Sequence, residues 1–195
     1  PKDILNLFWG KAKKNIDDNE IIYQPVMYHL INAGCIAQNL WDNINNKIKN
    51  DISLKYNVSI EEMRNFIGFL VSIHDIGKIS PGFQSKQKEI VDLLKLNGFS
   101  FGEIESKENA HNIITTNILS NIDKDIAVMH GGHHGSFPKP TDIYKNKFDD
   151  SWNEAIDVSI STLKKIFNPP ELQINDNLFL IYFCGLTIVA DWISS

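Results

Sequence analysis

The stretch FLVSIHDIGKISPGFQ, Phe69 to Gln84, decides how this chain is read. A run of apolar residues ends in His74 and Asp75, two side chains that are costly to bury without partners. Gly77 and Lys78 follow at once and complete an H-D-x-G-K string. Upstream, Ser59 and Glu62 have the spacing of a capping box, and Met63, Phe66, Ile67, Leu70 and Val71 repeat at helical intervals. The pattern predicts a helix from Ser59 whose last turn carries His74 and Asp75 on its buried face, with Gly77 as its stop. A plain apolar core has no use for such an ending.

Outward from this stretch the chain reads as helical. Pro25 suits a first helical turn, and Val26, Leu30, Ala33, Ala37, Leu40, Trp41, Ile44 and Ile48 continue one helix from it. A third helix is expected from about Asn109 to Ile122, and a fourth from about Ser151 to Phe167, ahead of Asn168-Pro169-Pro170. The last runs from Asn175 or Asp176 to Asp191. Strand-like alternation is scarce, and LNGFSFGEIES (Leu96–Ser106) and GGHHGSFPKPTDIY (Gly131–Tyr144) read as loops. With 43% hydrophobic residues, residues 1–195 are expected to form one all-α domain around a sizeable core.

Composition narrows the function classes. A formal net charge of −5 argues against a conventional basic nucleic-acid binder, although a bound divalent ion would change the local field. Cys35 and Cys184 are too few for a disulfide framework or a thiolate metal site, and read as small buried residues of a reducing compartment. The longest apolar run, LFLIYFCGLTIVA from Leu178 to Ala190, has 13 residues. A membrane span needs about 20, so the run reads as a central core helix. Without a signal peptide at the start, a cytoplasmic protein with no membrane partner is expected.

Polar residues on the apolar stripes carry the chemistry. His29 falls three after Val26, His74 three after Val71, and His111 three before Ile114, so each is expected to point inward. Asp191 closes the most apolar helix, and His133 and His134 sit together between glycines. Each alone has an ordinary explanation: a hydrogen-bonded core histidine, a frayed helix end, a solvated turn. Together they are more inward ligand-type side chains than a core accepts, and a shared metal would satisfy them. Imidazole and carboxylate without thiolate favour divalent ions, with manganese, iron, nickel or cobalt foremost and zinc or magnesium as further candidates. A carboxylate between histidines can bridge two ions ~3.5–4 Å apart, the arrangement that serves phosphoryl displacement. Lys78 could neutralise a phosphate oxygen, or be an ordinary solvated lysine after a helix.

The chain also resembles a known family. HDIGK with an upstream His, a downstream His, an HHG and a late Asp is similar to the HD phosphohydrolase superfamily. The nearer resemblance is to the HD nuclease domain of the type I CRISPR nuclease-helicase, in its Cascade-recruited branch. FWGKAK (Phe8–Lys13), QPVMYHL (Gln24–Leu30), HDIGKISPGFQ (His74–Gln84), GGHHG (Gly131–Gly135) and ADWISS (Ala190–Ser195) carry it, in the family's order. The resemblance implies an HD-type helical bundle with a metal site in its core and two-metal endo- or exodeoxyribonuclease activity on single-stranded DNA. It implies one ion held by His29, His74, Asp75 and Asp191, and another by Asp75, His111, His133 and His134. Asp75 and Lys78 then have catalytic roles, Ser194 and Gln84 supporting ones, and Phe83 and Gln84 shape the DNA path; His130 is given no ion. A helicase domain or subunit and a Cascade-type surveillance complex are the implied partners. No G-x-x-x-x-G-K-[ST] string occurs, so no ATP-binding helicase core is expected within these residues. Two other readings stand beside this one. A phosphohydrolase of nucleotides or small phosphate esters would need further cationic clamps, and a non-catalytic module would use the ligands only to brace its fold.

Overall fold

A computed structural model describes residues 4–14, 21–102, 110–143, 148–174 and 176–194. The order is β1 (Trp9–Lys14), β2 (Ile21–Pro25), α1 (Val26–Asp42), α2 (Asn46–Tyr56), α3 (Ile60–Ser72), α4 (Pro81–Gln84), α5 (Lys88–Leu96), α6 (His111–Leu119), α7 (Lys124–Gly131), α8 (Asp150–Phe167) and α9 (Asn177–Ile193). Short 3₁₀ turns occupy Ile4–Asn6, Ile76–Lys78, Gly132–His134 and Pro140–Asp142.

Most of the helical body is the one the periodicity predicts, though α4 and α5 lie outside every helix expected from it. Ser59 and Glu62 form the capping box at the head of α3: the Glu62 amide donates to Ser59 Oγ (3.1 Å) and the Ser59 amide to Glu62 Oε2 (2.7 Å). Asp149 caps α8, and Asn168 ends it in the left-handed conformation. Asp176 caps α9 by accepting from the Leu178 amide at 2.8 Å; Asn175 and Asn109 lie outside the described residues.

Four differences from the sequence reading have local causes. The single helix expected from Pro25 to Ile48 is two helices, because Asn45 accepts the Lys47 amide at 2.8 Å and starts α2 afresh. The helix expected to reach Ile122 stops at Leu119, and Asp123 caps the separate α7 through the Asp125 and Ile126 amides. An antiparallel pair, β1 and β2, precedes α1, and a register shift between Trp9 and Lys11 breaks the alternation that would have announced it. Finally, α9 is no central helix. Phe183, Thr187 and Ala190 are buried, but Leu178, Ile181, Trp192 and Ile193 lie exposed along its outer flank. Cys35 is likewise exposed on α1, while Cys184 is buried as expected.

Two apolar clusters hold the helices together. One gathers Phe8, Val26, Leu30, Ile73, Ile76 and Trp152, and the other Ala37, Trp41, Ile67, Leu70, Val71 and Phe183. Along the chain the His74–Asp75 pair is flanked by Ile73 and Ile76 of the first cluster, with Val71 of the second just before. No helix of the described residues is long and apolar enough to cross a membrane.

Candidate metal centre

Burial of His74 and Asp75 is achieved by a turn. Helix α3 ends at Ser72 with Ile73 as its cap, and His74 and Asp75 follow it, immediately before the 3₁₀ turn Ile76–Lys78. Gly77 therefore does not stop the helix. It lets the turn lie against the first turn of α6: a β-carbon there would meet the His111 carbonyl oxygen at 2.2 Å and the Thr115 nitrogen at 2.5 Å. The Gly77 amide donates to Thr115 Oγ1 at 2.9 Å, pinning the contact. Because His111 is the first residue of α6, this contact sets His111 beside Asp75.

All seven candidate ligands come together around Asp75. Its Oδ2 lies 3.2 Å from His29 Nε2 and 3.5 Å from His74 Nε2. Asp191 Oδ1 completes that side, 3.3 Å from His29 Nε2 and 3.6 Å from His74 Nε2. The other carboxylate oxygen, Oδ1, is 3.2 Å from both His111 Nε2 and His133 Nε2. His134 joins through His111, their Nε2 atoms 2.9 Å apart. Two four-residue groups result, His29–His74–Asp75–Asp191 and Asp75–His111–His133–His134, each with ligand atoms within 4.8 Å of one another.

The hydrogen bonds behind the rings fix what these atoms are. His74 Nδ1 is 2.9 Å from the Val71 carbonyl, which can only accept, so Nδ1 carries the hydrogen. His133 Nδ1 donates in the same way to the His130 carbonyl. Ser194 gives its hydroxyl hydrogen to the Asp191 carbonyl (2.8 Å), so its Oγ accepts from His29 Nδ1 (3.3 Å). Three imidazoles thus turn Nε2 toward carboxylate oxygens, and a cation shared between ring and carboxylate, a proton or a metal ion, satisfies both. His74 Nε2, His133 Nε2 and Asp75 Oδ1 are buried without a hydrogen-bond partner. Anchoring of the rings from behind is how metal-binding histidines are oriented, and the donor set fits divalent ions.

Electrostatics agree. Burial alone would raise the Asp75 carboxyl, but His74 and Lys78 beside it hold it well below the ordinary range. Asp191 follows the same pattern, with His29 and His74 overcoming its burial. Burial lowers His74 against the pull of Asp75, keeping the ring neutral. His133 is the exception: burial pulls it down, yet Asp75 outweighs this and raises it, so a proton can stand where a metal ion would. His134, in the more open part of the site, is lowered to about 4 by partial burial and by His133 and His111.

The supporting residues are placed as follows. Lys78 is 7% exposed and its Nζ lies 2.6 Å from Asp75 Oδ2, so it is no solvated lysine. Gln84 is wholly buried and does not line a DNA path. Its amide donates to the carbonyls of Trp9 (2.9 Å) and Lys78 (2.8 Å) and its oxygen accepts from the Trp9 amide (3.2 Å), tying β1 to the metal-ligand turn. His130 is buried at the end of α7 and belongs to neither ligand group. The sequence reading missed the hairpin residue Lys11, whose Nζ is 3.8 Å from Asp191 Oδ1. No β-prone run announces β1, since WGKAKK (Trp9–Lys14) is made largely of residues that strands disfavour.

Comparison with known proteins gives the family and the fold. The family model described as Cas3, HD domain matches residues 9–195. A CRISPR-associated nuclease/helicase Cas3 of Streptococcus thermophilus is 28% identical over 242 aligned positions, covering 100% of this chain and 25% of that relative. The chain thus spans about a quarter of the length of the curated relative it matches. Among solved structures, the Thermus thermophilus Cas3 HD domain in the presence of Ni2+ superposes with a TM-score of 0.61 at 20% identity, over 87% of this chain and 70% of that one. A chain from a CRISPR RNA-guided surveillance complex, pre-nicking, superposes with a TM-score of 0.77 at 22% identity, over 95% of this chain and 24% of that one. At these identities the likeness is one of fold.

Proposed function

The chain belongs to the Cas3 HD-domain family, and from that premise we propose that residues 1–195 form a metal-dependent nuclease domain hydrolysing phosphodiester bonds of single-stranded DNA in type I CRISPR interference. The observation that carries this reading is the double engagement of Asp75, whose two oxygens face two different histidine groups. One divalent transition-metal ion is assigned to His29, His74, Asp75 and Asp191, and another to Asp75, His111, His133 and His134, with manganese, iron, nickel or cobalt as the candidates. When bound, such a pair supplies a nucleophile at neutral pH and neutralises charge on the phosphoryl oxygens.

The chain's own residues prepare that chemistry. Asp75 and Asp191 stay ionised, and Lys78 compensates Asp75 from within the wall of the site. Ser194 and the carbonyls of Val71 and His130 hold three rings with Nε2 turned inward, so little reorganisation is needed when substrate arrives. His134, neutral at pH 7 and the most exposed of the set, marks the side from which a strand approaches.

A helicase domain or subunit and a Cascade-type surveillance complex are the proposed partners, and the cytoplasm the proposed location. The nuclease/helicase description of the relative, of which this chain matches 25%, supports the first, and the net charge of −5 fits a domain that leaves most of the DNA grip to another. The exposed apolar flank of α9 is the kind of surface such a partner covers. The test is cleavage of circular single-stranded DNA by metal-stripped protein, with manganese, nickel, cobalt, zinc or magnesium restored singly and Asp75→Ala alongside. Metal-dependent cutting that vanishes in the variant is expected. A folded, metal-binding protein that cuts with no ion, alone or with helicase added, would reject the reading in favour of a small phosphate ester substrate.

A further inference from the structure

A nuclease site needs a cation for the substrate's phosphates, and Lys78 is poorly placed to be that cation. Its ammonium is almost wholly buried and held at 2.6 Å by Asp75 Oδ2, so a phosphate could engage it only by entering the wall of the site and breaking a close, buried ion pair. The hairpin supplies another. β1 is tied to the metal-ligand turn by the Gln84 amide, and Trp9 stacks on Phe83 with ring centroids 4.6 Å apart. Gly10 permits the approach to α1, since a β-carbon there would meet Val26 Cα at 2.9 Å. Lys11 follows the register shift on β1, and its Nζ comes 3.8 Å from Asp191 Oδ1. The Lys11 side chain keeps 27% of its surface exposed, against 8% for Lys78. Burial and the neighbouring Lys78 lower the Lys11 ammonium against the pull of Asp191. Beyond Lys78, exposed Lys86 continues the cationic line with its Nζ 4.6 Å from the Phe83 ring centroid.

We infer that Lys11 is a phosphate-binding residue of this site, holding a backbone phosphate of the incoming single strand beside Asp191. The inference deepens the nuclease reading and rests on it. An ion bound between His29, His74 and Asp191 would compete for the Asp191 charge and weaken its hold on the Lys11 ammonium. Lys11 thereby couples a loaded site to substrate grip, while Lys78 serves Asp75.

The experiment compares wild type, Lys11→Met and Lys11→Arg in three measurements. Steady-state cleavage of a labelled single strand is expected to show KM raised about tenfold in Lys11→Met, the loss of one charge-assisted contact, with kcat changed far less. Anisotropy of a labelled phosphorothioate oligothymidylate of about 12 nucleotides, which resists hydrolysis, is expected to show a salt slope shallower by about 0.7, one phosphate contact on a single strand. Calorimetric titration with manganese is expected to give unchanged stoichiometry and equal or tighter affinity, because Lys11 is not a ligand. Lys11→Arg should keep KM within about threefold of wild type. Unchanged KM and salt slope in Lys11→Met would overturn the inference, as would a loss of manganese binding, which would mean that Lys11 acts only by positioning Asp191. Those results, with wild type still cutting, leave the nuclease reading intact. A wild type that neither cuts nor binds the oligonucleotide sinks both.

Discussion

Gly77→Ala tests whether one backbone contact assembles the site. The added β-carbon would lie 2.2 Å from the His111 carbonyl oxygen and 2.5 Å from the Thr115 nitrogen, both main-chain atoms of α6. Relief to van der Waals distance requires the 3₁₀ turn and α6 to separate by about 1 Å. That movement strains the Gly77–Thr115 hydrogen bond of 2.9 Å and carries His111 Nε2 away from its 3.2 Å approach to Asp75 Oδ1. Overpacking of this kind costs about 1–3 kcal/mol, which for a domain of this size lowers Tm by roughly 2–10 °C. Activity should fall further than stability, by about 100-fold, since a displacement near 1 Å at a reacting centre has that effect. Thermal melting, single-strand cleavage and manganese titration are run on the same preparation. The titration should lose the ion assigned to the His111 group and keep the one held by His29, His74 and Asp191. Cleavage within threefold of wild type at an unchanged Tm would refute the argument that Gly77 seats α6.

Three further outcomes are expected. Lys78→Met in metal-stripped protein strands the buried Asp75 carboxylate and lowers stability by about 3 kcal/mol; added manganese should recover much of it, and melting curves that fall equally with and without metal would contradict the pairing. His29→Ala and His134→Ala should each abolish a different half of a two-ion titration while Asp75→Ala abolishes both, and loss of both ions in either histidine variant would mean a single site. His130 is held well below the ordinary histidine value by burial, with His74 and His133 adding to it. The unfolded chain therefore takes up its proton below about pH 6.5 while the folded chain does not, so stability of the metal-free protein falls as pH drops from about 7.5 to 5.5. Urea midpoints should show that slope flattened in His130→Gln, and equal slopes in the two proteins would assign it elsewhere.

Features with local signals are legible in the amino-acid order. The Ser59–Glu62 box, the span of α8 and the inward placement of His29 and His111 follow from side-chain chemistry and a 3.6-residue period, which act over a few residues, whereas His74 is buried by the turn after α3. The breaks at Asn45 and Asp123 carry a local signal too, but periodic apolar residues on both sides mask it. The hairpin is not legible, because its register shift removes the alternation by which strands are recognised.

What the sequence determined by itself is the helical body and the inventory of ligand-type residues on its apolar stripes, since both depend on spacing along one element. Tertiary structure alone decided which oxygen of Asp75 faces which histidines, that Lys78 serves Asp75, that Gln84 clamps β1, and that Lys11 overlooks Asp191. These are distances between segments as far apart as His29 and Ser194, set by how two apolar clusters close around the His74–Asp75 turn. No spacing along the chain encodes such distances, because they arise only when α1, α3, α6, α7 and α9 pack at once.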